Sequence, residues 1–98
     1  MWSAVPIQNG IDADPAKNER NLRLRGISFE KVAEFDFNSA TFDEDKRKDY
    51  GETRTLALGY IGDTLHALVF TLRGGAIRVI SLRRANRRER NRYAKARP

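Results

Sequence analysis

Arginine is the residue type that gives this sequence its clearest chemical signal. The chain has 98 residues with 14 Arg and 5 Lys, and its formal net charge is +6. Residues 83–98 hold seven Arg and one Lys against one Glu, whereas residues 1–82 carry 11 basic and 12 acidic groups. A planar guanidinium binds phosphate oxygens in pairs. A basic segment of this kind therefore predicts a polyanion partner, an acidic protein partner, or both.

Composition excludes several classes of site. The sequence contains no Cys, which excludes disulfides, thiolate metal sites and Cys nucleophiles, and its one histidine, His66, cannot form a multi-histidine metal site. The acidic residues of the segment 43–49 lack the regular spacing and Gly of a calcium loop. We therefore expect no metal and no cofactor. No apolar run approaches the roughly 18 residues of a spanning helix, and the first residues lack a secretion signal, so we expect a cytoplasmic protein without membrane contact.

The N-terminal part predicts two short helices. Residues 1–7 are expected to be a loose lead-in, and residues 8–12 a short strand. Asp14 followed by Pro15 is typical of a helix start, and Gly26 of the left-handed residue after a helix end, so the first helix should run to about residue 24 or 25. Ser28 should begin the second helix, which ends near Phe35. Its start would be supported by an apolar pair of the hydrophobic-staple type, Ile27 and Val32.

The remainder predicts a sheet followed by a basic helix. Residues 37–42 are a candidate strand and residues 43–53 an exposed loop. Three strand-like runs follow at 54–60, 66–73 and 76–82, and the short turns between them, including Gly74-Gly75, predict an antiparallel meander. Residues 85–95 favour a helix with almost no apolar stripe. Together these elements predict one small α+β domain, residues 1–98, with an antiparallel sheet and a basic helix and tail at 84–98.

Three ordered motifs resemble the BrnT toxin family, and together they span roughly residues 12–94. They are Asp14-Pro15-Ala16-Lys17 with Asn21 and Gly26-Ile27-Ser28-Phe29; Gly51-Glu52-Thr53-Arg54 with Leu58-Gly59; and Val79-Ile80-Ser81-Leu82-Arg83-Arg84-Ala85 with Arg87-Arg88-Glu89-Arg90 and Tyr93.

The resemblance implies a RelE-like fold and the toxin of a type II toxin–antitoxin pair. It implies an endoribonuclease that blocks translation and is neutralised by an antitoxin with a ribbon-helix-helix domain. Operator DNA would be bound only through the antitoxin complex. The chain departs from the family where Lys-His-Gly is usual, since it reads Leu24-Arg25-Gly26, and where Leu82 replaces an Ala. A guanidinium stays protonated, so Arg25 cannot replace a histidine in proton transfer.

Four residues are candidates for the chemistry that this resemblance implies. A metal-independent ribonuclease deprotonates the ribose 2′-OH, stabilises the charge on the phosphorane and protonates the leaving oxygen. Arg54 and Arg83, at the ends of two predicted strands, match motif positions and are interpreted as a pair that grips the scissile phosphate. Alternatively, Arg54 pairs with Glu52 or another carboxylate, and Arg83 caps the sheet edge. Glu89 and Tyr93 share one helix face. Glu89 is a candidate general base or Arg-orienting group, and Tyr93 a candidate acid or stacking platform; alternatively, both are structural.

RNA binding is assigned to two basic surfaces. Lys17, Asn21 and Arg25 are four residues apart in turn on the first helix, and either contact phosphate or form a solvated face in which Asn21 bonds to backbone. In the C-terminal cluster, Arg84, Arg87 and Arg88 are candidates for an electrostatic RNA track; alternatively, they form a docking surface for an acidic antitoxin or a solvated helix. His66 lies outside the motifs, and we favour a structural role over that of a base.

Two other functions remain open from the sequence. One is a non-catalytic nucleic-acid-binding or regulatory module, a decayed toxin, because Arg25 replaces the expected histidine and acid–base groups are scarce. The other is a protein-interaction partner with no role in nucleic-acid binding, which the basic C-terminal segment makes least favoured.

Overall fold

The fold is an α+β arrangement around one mixed sheet. The structure, a computed structural model, describes residues 5–8, 10–46 and 51–96. The described strands form a six-stranded sheet in the order β1-β2-β6-β5-β4-β3. The strands are β1 (Val5–Gln8), β2 (Ile11–Ala13), β3 (Thr41–Glu44), β4 (Thr55–Ile61), β5 (Thr64–Arg73) and β6 (Ala76–Arg84). The helices are α1 (Pro15–Arg25), a 3₁₀ helix (Phe29–Glu34) and α2 (Arg87–Ala96).

The predicted meander is confirmed. Strands β4, β5 and β6 are consecutive neighbours and pair antiparallel, with Leu58 opposite Ala67 and Ala67 opposite Arg83. Gly62 in the first turn and Gly74 and Gly75 in the second all have positive φ, which a residue without a Cβ adopts at little cost. A bulge follows Val69 and shifts the register of β6. Alternation along the strands then places Leu82 and Arg83 on opposite faces of the sheet.

The N-terminal strands correct three expectations. Residues 5–7 belong to β1 instead of a loose lead-in. The expected strand 8–12 is divided between the end of β1 at Gln8 and the start of β2 at Ile11, because Gly10 turns the chain at φ 81°; residue 9 lies outside the described residues. Residues 1–4 lie outside the described residues. Strand β2 pairs with β6 in parallel, and the amide of Ile77 donates to the carbonyl of Gly10 at 2.6 Å. The sheet is therefore mixed, whereas the sequence predicted an antiparallel one.

Both predicted helix starts are confirmed. The Asp14 side chain accepts from the amide of Ala16 at 3.0 Å, and Gly26 ends α1 in the left-handed region. The Ser28 hydroxyl accepts from the amide of Glu30 at 3.2 Å. The element after Ser28 is a single stretch of 3₁₀ helix. Asn18 also helps to fix this turn, because its side-chain oxygen Oδ1 accepts a hydrogen bond from the amide of Phe29 at 2.8 Å.

The apolar core lies between the 3₁₀ helix and the Leu82 face of the sheet. Phe29 and Val32 are fully buried, and Ile27 packs against the cluster, as the staple predicts. Burial of side chains of this size stabilises a fold by about 1.5–3 kcal/mol each. The buried core cluster comprises Ile11, Ala13, Phe29, Val32, Phe35, Ala40, Ala57, Leu68, Phe70, Val79 and Leu82.

The segment 37–53 differs from its prediction. The candidate strand 37–42 is displaced to β3 at 41–44, because the Asp36 carboxylate accepts from the amide of Asn38 at 3.0 Å and the hydroxyl of Ser39 at 2.7 Å, which holds a bend. The predicted exposed loop therefore begins inside a strand, and Asp45 within it is buried. Residues 47–50 lie outside the described residues.

Helix α2 begins at residue 87 instead of 85. Asn86 is its N-cap, and its Oδ1 accepts from the amide of Glu89 at 2.9 Å. Arg84 belongs to β6, so the boundary of the predicted basic helix and tail at 84 lies inside the sheet. The final two residues, 97 and 98, lie outside the described residues.

Gly59 supports a testable prediction about the core. A Cβ at this position would lie 2.6 Å from Cζ of the buried Phe35 ring and 3.1 Å from Cβ of Ala40. We expect Gly59→Ala to lower the free energy of unfolding by about 2 kcal/mol, since overpacking displaces the ring. Urea unfolding measures this. The double variant with Phe35→Leu should show a smaller penalty for the added methyl group, and equal stability of Gly59→Ala and the wild type would contradict the model of close packing.

Candidate functional site

The candidate site is centred on an ion pair between β6 and α2. Arg83 Nη1 lies 2.7 Å from Glu89 Oε1, and Arg83 Nη2 lies 2.8 Å from Glu89 Oε2, so the pair is bidentate. The Glu89 side chain is 6% exposed and that of Arg83 is 26% exposed. The carboxylate is thus desolvated while the guanidinium still reaches solvent. This geometry brings together two of the four predicted catalytic residues.

Glu89 also helps to begin α2. Its Oε1 accepts from the amide of Asn86 at 2.9 Å, and its own amide donates to Asn86 Oδ1 at 2.9 Å, which is a reciprocal capping box. Hydrogen bonds from Arg83 lower the pKa of the Glu89 carboxyl below its usual value, with a further contribution from the Asn86 amide, and these effects outweigh desolvation. An acceptor with a lowered pKa is a weak proton acceptor at neutral pH. The geometry favours the Arg-orienting role of Glu89.

Tyr93 anchors the middle of α2. Its hydroxyl donates to the carbonyl of Ser39 at 2.8 Å, and its ring meets the ring of Tyr60 edge to face at a centroid distance of 5.6 Å. The hydroxyl proton is therefore committed to a backbone acceptor. This arrangement favours the structural alternative for Tyr93 and leaves its ring as one wall of a cleft.

A cleft of about 220 Å³ separates α2 from β3 and β4. Arg83, Glu89 and Arg92 line one side of it, and Arg92 Nη1 lies 3.9 Å from Asp43 Oδ2 across it. The buried Asp45 lines the same cleft. Arg92 and Asp45 were not among the predicted site residues, because their proximity follows from the placement of β3 beside β4.

Arg54 shares a sheet face with Arg83 but lies apart from it. Arg83 is opposite Ala67 and Ala67 is opposite Leu58, while Arg54 precedes Leu58 by four residues. The Cα atoms are therefore separated by about 13 Å along the strands and two strand spacings of about 4.8 Å each across them. Arg54 Nε lies 3.5 Å from Glu52 Oε2. Even residue spacing puts both arginines on one side of the sheet, yet the pocket that contains Arg83 does not contain Arg54.

The first predicted RNA-binding surface surrounds a cleft between α1 and β6. Lys17, Arg20 and Arg25 line this cleft, which has a volume of about 220 Å³. Within the described part of the chain, none of these three cations is in an ion pair. Asn21 also lines this cleft, but the backbone holds its polar atoms. Its side chain is buried, and its Nδ2 donates hydrogen bonds to the carbonyls of Ile27 and Leu82 at 2.9 and 2.8 Å. Because the side-chain amide is bonded to the backbone in this way, the structural alternative is favoured for Asn21.

The second predicted RNA-binding surface is the exposed side of α2 with the end of β6. Arg84, Arg87 and Arg88 are exposed, and no carboxylate of the described residues pairs with them. Arg87 and Arg88 line an open depression of about 580 Å³ together with Arg92 and Lys95. On this side of α2, Arg87, Arg88 and Lys95 are therefore closely spaced cations without a carboxylate partner among the described residues, whereas Arg92 lies near Asp43.

His66 is structural in its geometry. It is buried, its Nδ1 lies 2.8 Å from the carbonyl of Thr64, and it pairs with Gly59 and Arg84 in the sheet. Alternation puts it on the Leu68 side of β5, away from Arg83. Among residues 5–8, 10–46 and 51–96, no cluster of three or more His, Asp or Glu side chains is arranged around a metal-sized space. Nor is any helix in those ranges long and apolar enough to cross a bilayer.

The family is established by comparison of the sequence with protein-family models. The model described as the ribonuclease toxin BrnT of the type II toxin–antitoxin system matches residues 14–89. The chain belongs to the BrnT family. The matched residues include α1, the whole meander and the Arg83–Glu89 pair. A search of curated proteins found no significant match.

A substitution at Asn21 tests whether this residue supports the fold or contacts RNA in this BrnT-family chain. Asn21→Asp keeps the side-chain shape but removes the amide donor, which leaves the carbonyls of Ile27 and Leu82 without their bonds. We expect the free energy of unfolding to fall by about 3 kcal/mol. Thermal unfolding measures this, with Asn91→Asp on the exposed side of α2 as the matched control. A fall in RNA affinity at unchanged stability would instead support a direct RNA contact.

Glu89 gives a prediction about pH. Glu89→Gln should lower the free energy of unfolding at pH 7 by about 2 kcal/mol, because Arg83 loses its charged partner. The folded-state pKa of Glu89 is lowered. The stabilisation is therefore present above the unfolded-state pKa of about 4.3 and is lost as pH falls through the folded-state value.

The difference in stability between wild type and Glu89→Gln should consequently shrink as pH falls below about 4. Urea unfolding at a series of pH values measures it. Glu44→Gln, which removes an exposed carboxylate of β3, is the control and should change stability little. A constant difference across the acid range would show that the ionised carboxylate is not the source of the stabilisation.

Proposed function

We propose that this chain is an endoribonuclease toxin that cleaves RNA without a metal ion and thereby inhibits translation. The observation that carries the proposal is the Arg83–Glu89 pair, because it holds a solvent-reaching guanidinium in one orientation beside a surface of unpaired cations. Family membership supports ribonuclease activity in general. The metal-independent route is our own inference from the arginine-rich chemistry.

In this mechanism Arg83 stabilises the charge that develops on the phosphorane. A preorganised donor contributes most where it need not reorient during the reaction, and two bonds to Glu89 fix the guanidinium plane. Glu89 acts as a positioning residue, since its oxygens already accept from Arg83 and Asn86. We propose that Arg54, on the same face, contacts a flanking phosphate of the RNA, in place of the expectation that both arginines grip one phosphate.

RNA would lie along the exposed side of α2. Arg87 and Arg88 supply phosphate contacts there, and Arg84 extends the surface to the end of β6. Lys17 and Arg25 form a second basic area near α1. Electrostatic attraction of this kind needs no sequence preference, and affinity should fall steeply with salt.

The same surface suits a neutralising partner. We propose a cognate antitoxin with a ribbon-helix-helix domain that covers the cations of α2, with operator DNA bound only through that complex. Family membership supports an antitoxin, and the unpaired arginines of α2 support an acidic contact surface on it. We further propose a single RelE-like domain over residues 1–98 that acts in the cytoplasm.

A second candidate function is RNA binding without cleavage. Its support is that the Tyr93 hydroxyl and the Glu89 carboxylate are both bonded within the protein, and that Arg25 cannot transfer protons at neutral pH. A chain of this kind would retain the electrostatic surface and lack turnover.

Cleavage of labelled RNA by the purified protein separates the two. We expect cleavage that persists in EDTA, that falls about 100-fold in Arg83→Lys, and that falls less in Arg54→Ala. The lysine keeps a cation for Glu89 but not the bidentate geometry, and circular dichroism verifies folding. The control is Arg23→Ala, which removes an exposed arginine of α1 whose nearest carboxylate oxygen lies 3.8 Å away.

Binding of intact RNA with no cleavage would favour the second candidate. Cleavage that EDTA abolishes would refute the metal-independent route. Unchanged cleavage in folded Arg83→Lys would refute the role of Arg83 while leaving ribonuclease activity itself in place.

A further inference from the structure

A second cleft lies on the other side of α2 from the Arg83 site. It has a volume of about 440 Å³, which is within the range of about 300–1,000 Å³ found for small-ligand sites. Its floor is apolar, formed in part by the buried Leu65 and Ala85. Its polar and aromatic lining residues are Tyr60, Asp63, Thr64, Arg84, Arg90 and Tyr93.

The aromatic wall of this cleft is ordered and accessible. Tyr60 is 38% exposed, and its ring is fixed by the edge-to-face contact with Tyr93. The Tyr93 ring is in turn held by the hydroxyl bond to Ser39. Unstacked RNA bases stack on such rings, and an exposed ring beside two arginines is typical of a single-strand binding site.

The charged groups of the cleft are of both signs. Arg90 Nη1 donates to the carbonyl of Ala85 at 3.0 Å, which orients its guanidinium. Arg84 is exposed at the end of β6. Asp63 lies in the turn between β4 and β5, and its carboxylate makes no hydrogen bond or ion pair with any other described residue. The Asp63 carboxylate accepts hydrogen bonds, which the donors of a nucleobase can supply and the side chains of an acidic peptide cannot, so the lining favours a nucleobase over an acidic partner.

The Asp63 carboxylate and the two arginines together favour one of the four RNA bases. A carboxylate only accepts hydrogen bonds, and it needs two adjacent donors to use both oxygens. Guanine alone carries two adjacent donors on its Watson–Crick edge, N1–H and the N2 amino group. Guanine also presents O6 and N7 as adjacent acceptors, which an arginine can bind as a pair. Adenine, cytosine and uracil each place an acceptor against the carboxylate.

We propose that this cleft binds a guanine base of single-stranded RNA, with Tyr60 as the stacking surface, Asp63 as the reader of the Watson–Crick edge and Arg84 or Arg90 as the donor to the opposite edge. The inference rests on the proposed function, since it names the base next to the cleavage site. Tyr93 of this cleft and Glu89 of the ion pair are four residues apart on α2. They are thus about one helical turn, or about 5.4 Å, from each other.

The test measures the affinity of fluorescein-labelled trinucleotides by anisotropy. The probes are UGU, UAU, UCU, UUU and an inosine version of UGU, all with 2′-O-methyl riboses so that the 2′-OH route of cleavage is blocked. Wild type should bind UGU at least tenfold more tightly than UAU, UCU or UUU. The inosine probe lacks the N2 amino donor, so its affinity should lie between that of UGU and those of the other three probes.

Two variants, each with a matched control, identify the groups responsible. Asp63→Asn should remove the guanine preference, while Glu19→Gln, an exposed carboxylate lost from α1, should retain it. Tyr60→Ala should weaken all five probes about tenfold, and Tyr60→Phe should not. Asp63 is exposed, so its replacement leaves the core unchanged, and circular dichroism verifies this.

Each remaining outcome is decisive. Equal affinity for all four bases, or a guanine preference that survives in Asp63→Asn, overturns the inference and leaves RNA cleavage by the Arg83 site intact. No binding of any probe at low salt, together with no cleavage of RNA, overturns the proposed function as well. Displacement of UGU by a glutamate-rich peptide in a manner that depends on Tyr60 reassigns the cleft to a protein partner and overturns the base assignment.

Discussion

The position of α2 depends on one ion pair. The helix has few apolar side chains, and within its described length Glu89 is its buried residue. Two parallel bonds to Arg83 and a capping box with Asn86 therefore take the place that an apolar stripe has in most surface helices. Because the carboxylate is desolvated, removal of its partner would leave a buried charge, which is strongly unfavourable. The cations on the exposed side of α2 take their positions from this pair together with the contacts of Tyr93.

Because polar contacts help to hold α2 in place, its exposed side can carry cations that do not pack against the rest of the protein. Arg87, Arg88 and Lys95 are not needed for packing, and they remain exposed without carboxylate partners among the described residues. Their mutual repulsion costs stability in the free protein and is relieved when a polyanion binds. The same property suits RNA and an acidic antitoxin surface, which is consistent with a toxin whose inhibitor and substrate share one face.

The two faces of the sheet differ in the interactions that hold the helices packed on them. On the Leu82 side, Phe29 and Val32 exclude water completely and apolar burial dominates. Here a single polar residue, Asn21, ties α1 to the backbone of β6. On the Arg83 side, Leu58, Ala67 and Val69 are also buried, and ion pairs and capping bonds add to this packing in positioning α2. Clefts form on both sides of α2. Rigid apolar support on one face thus allows a charged and accessible arrangement on the other.

Much of the local structure could be predicted, because its signals are local. Asp14-Pro15 and Gly26 fix the ends of α1, and Gly74-Gly75 fixes the second turn of the meander. The 3₁₀ form after Ser28 could not be predicted, since its apolar spacing suits either helix type. The parallel pairing of β2 with β6 depends on residues that are more than 60 positions apart in the chain. The displacement of the third strand depends on bonds to Asp36 that compete with pairing.

For the candidate site, the chemistry follows from residue types and their order along the chain: the arginine-rich C-terminal segment, the spacing of Glu89 and Tyr93, and the absence of thiols. The sequence also identified Arg83 and Arg54 as candidates. The tertiary structure decided which of these groups meet. It joined Arg83 to Glu89, tied Tyr93 to Ser39 and left Arg54 beside Glu52. The physical reason is that charge and spacing are properties of a linear chain, whereas a contact requires the register and twist of neighbouring strands.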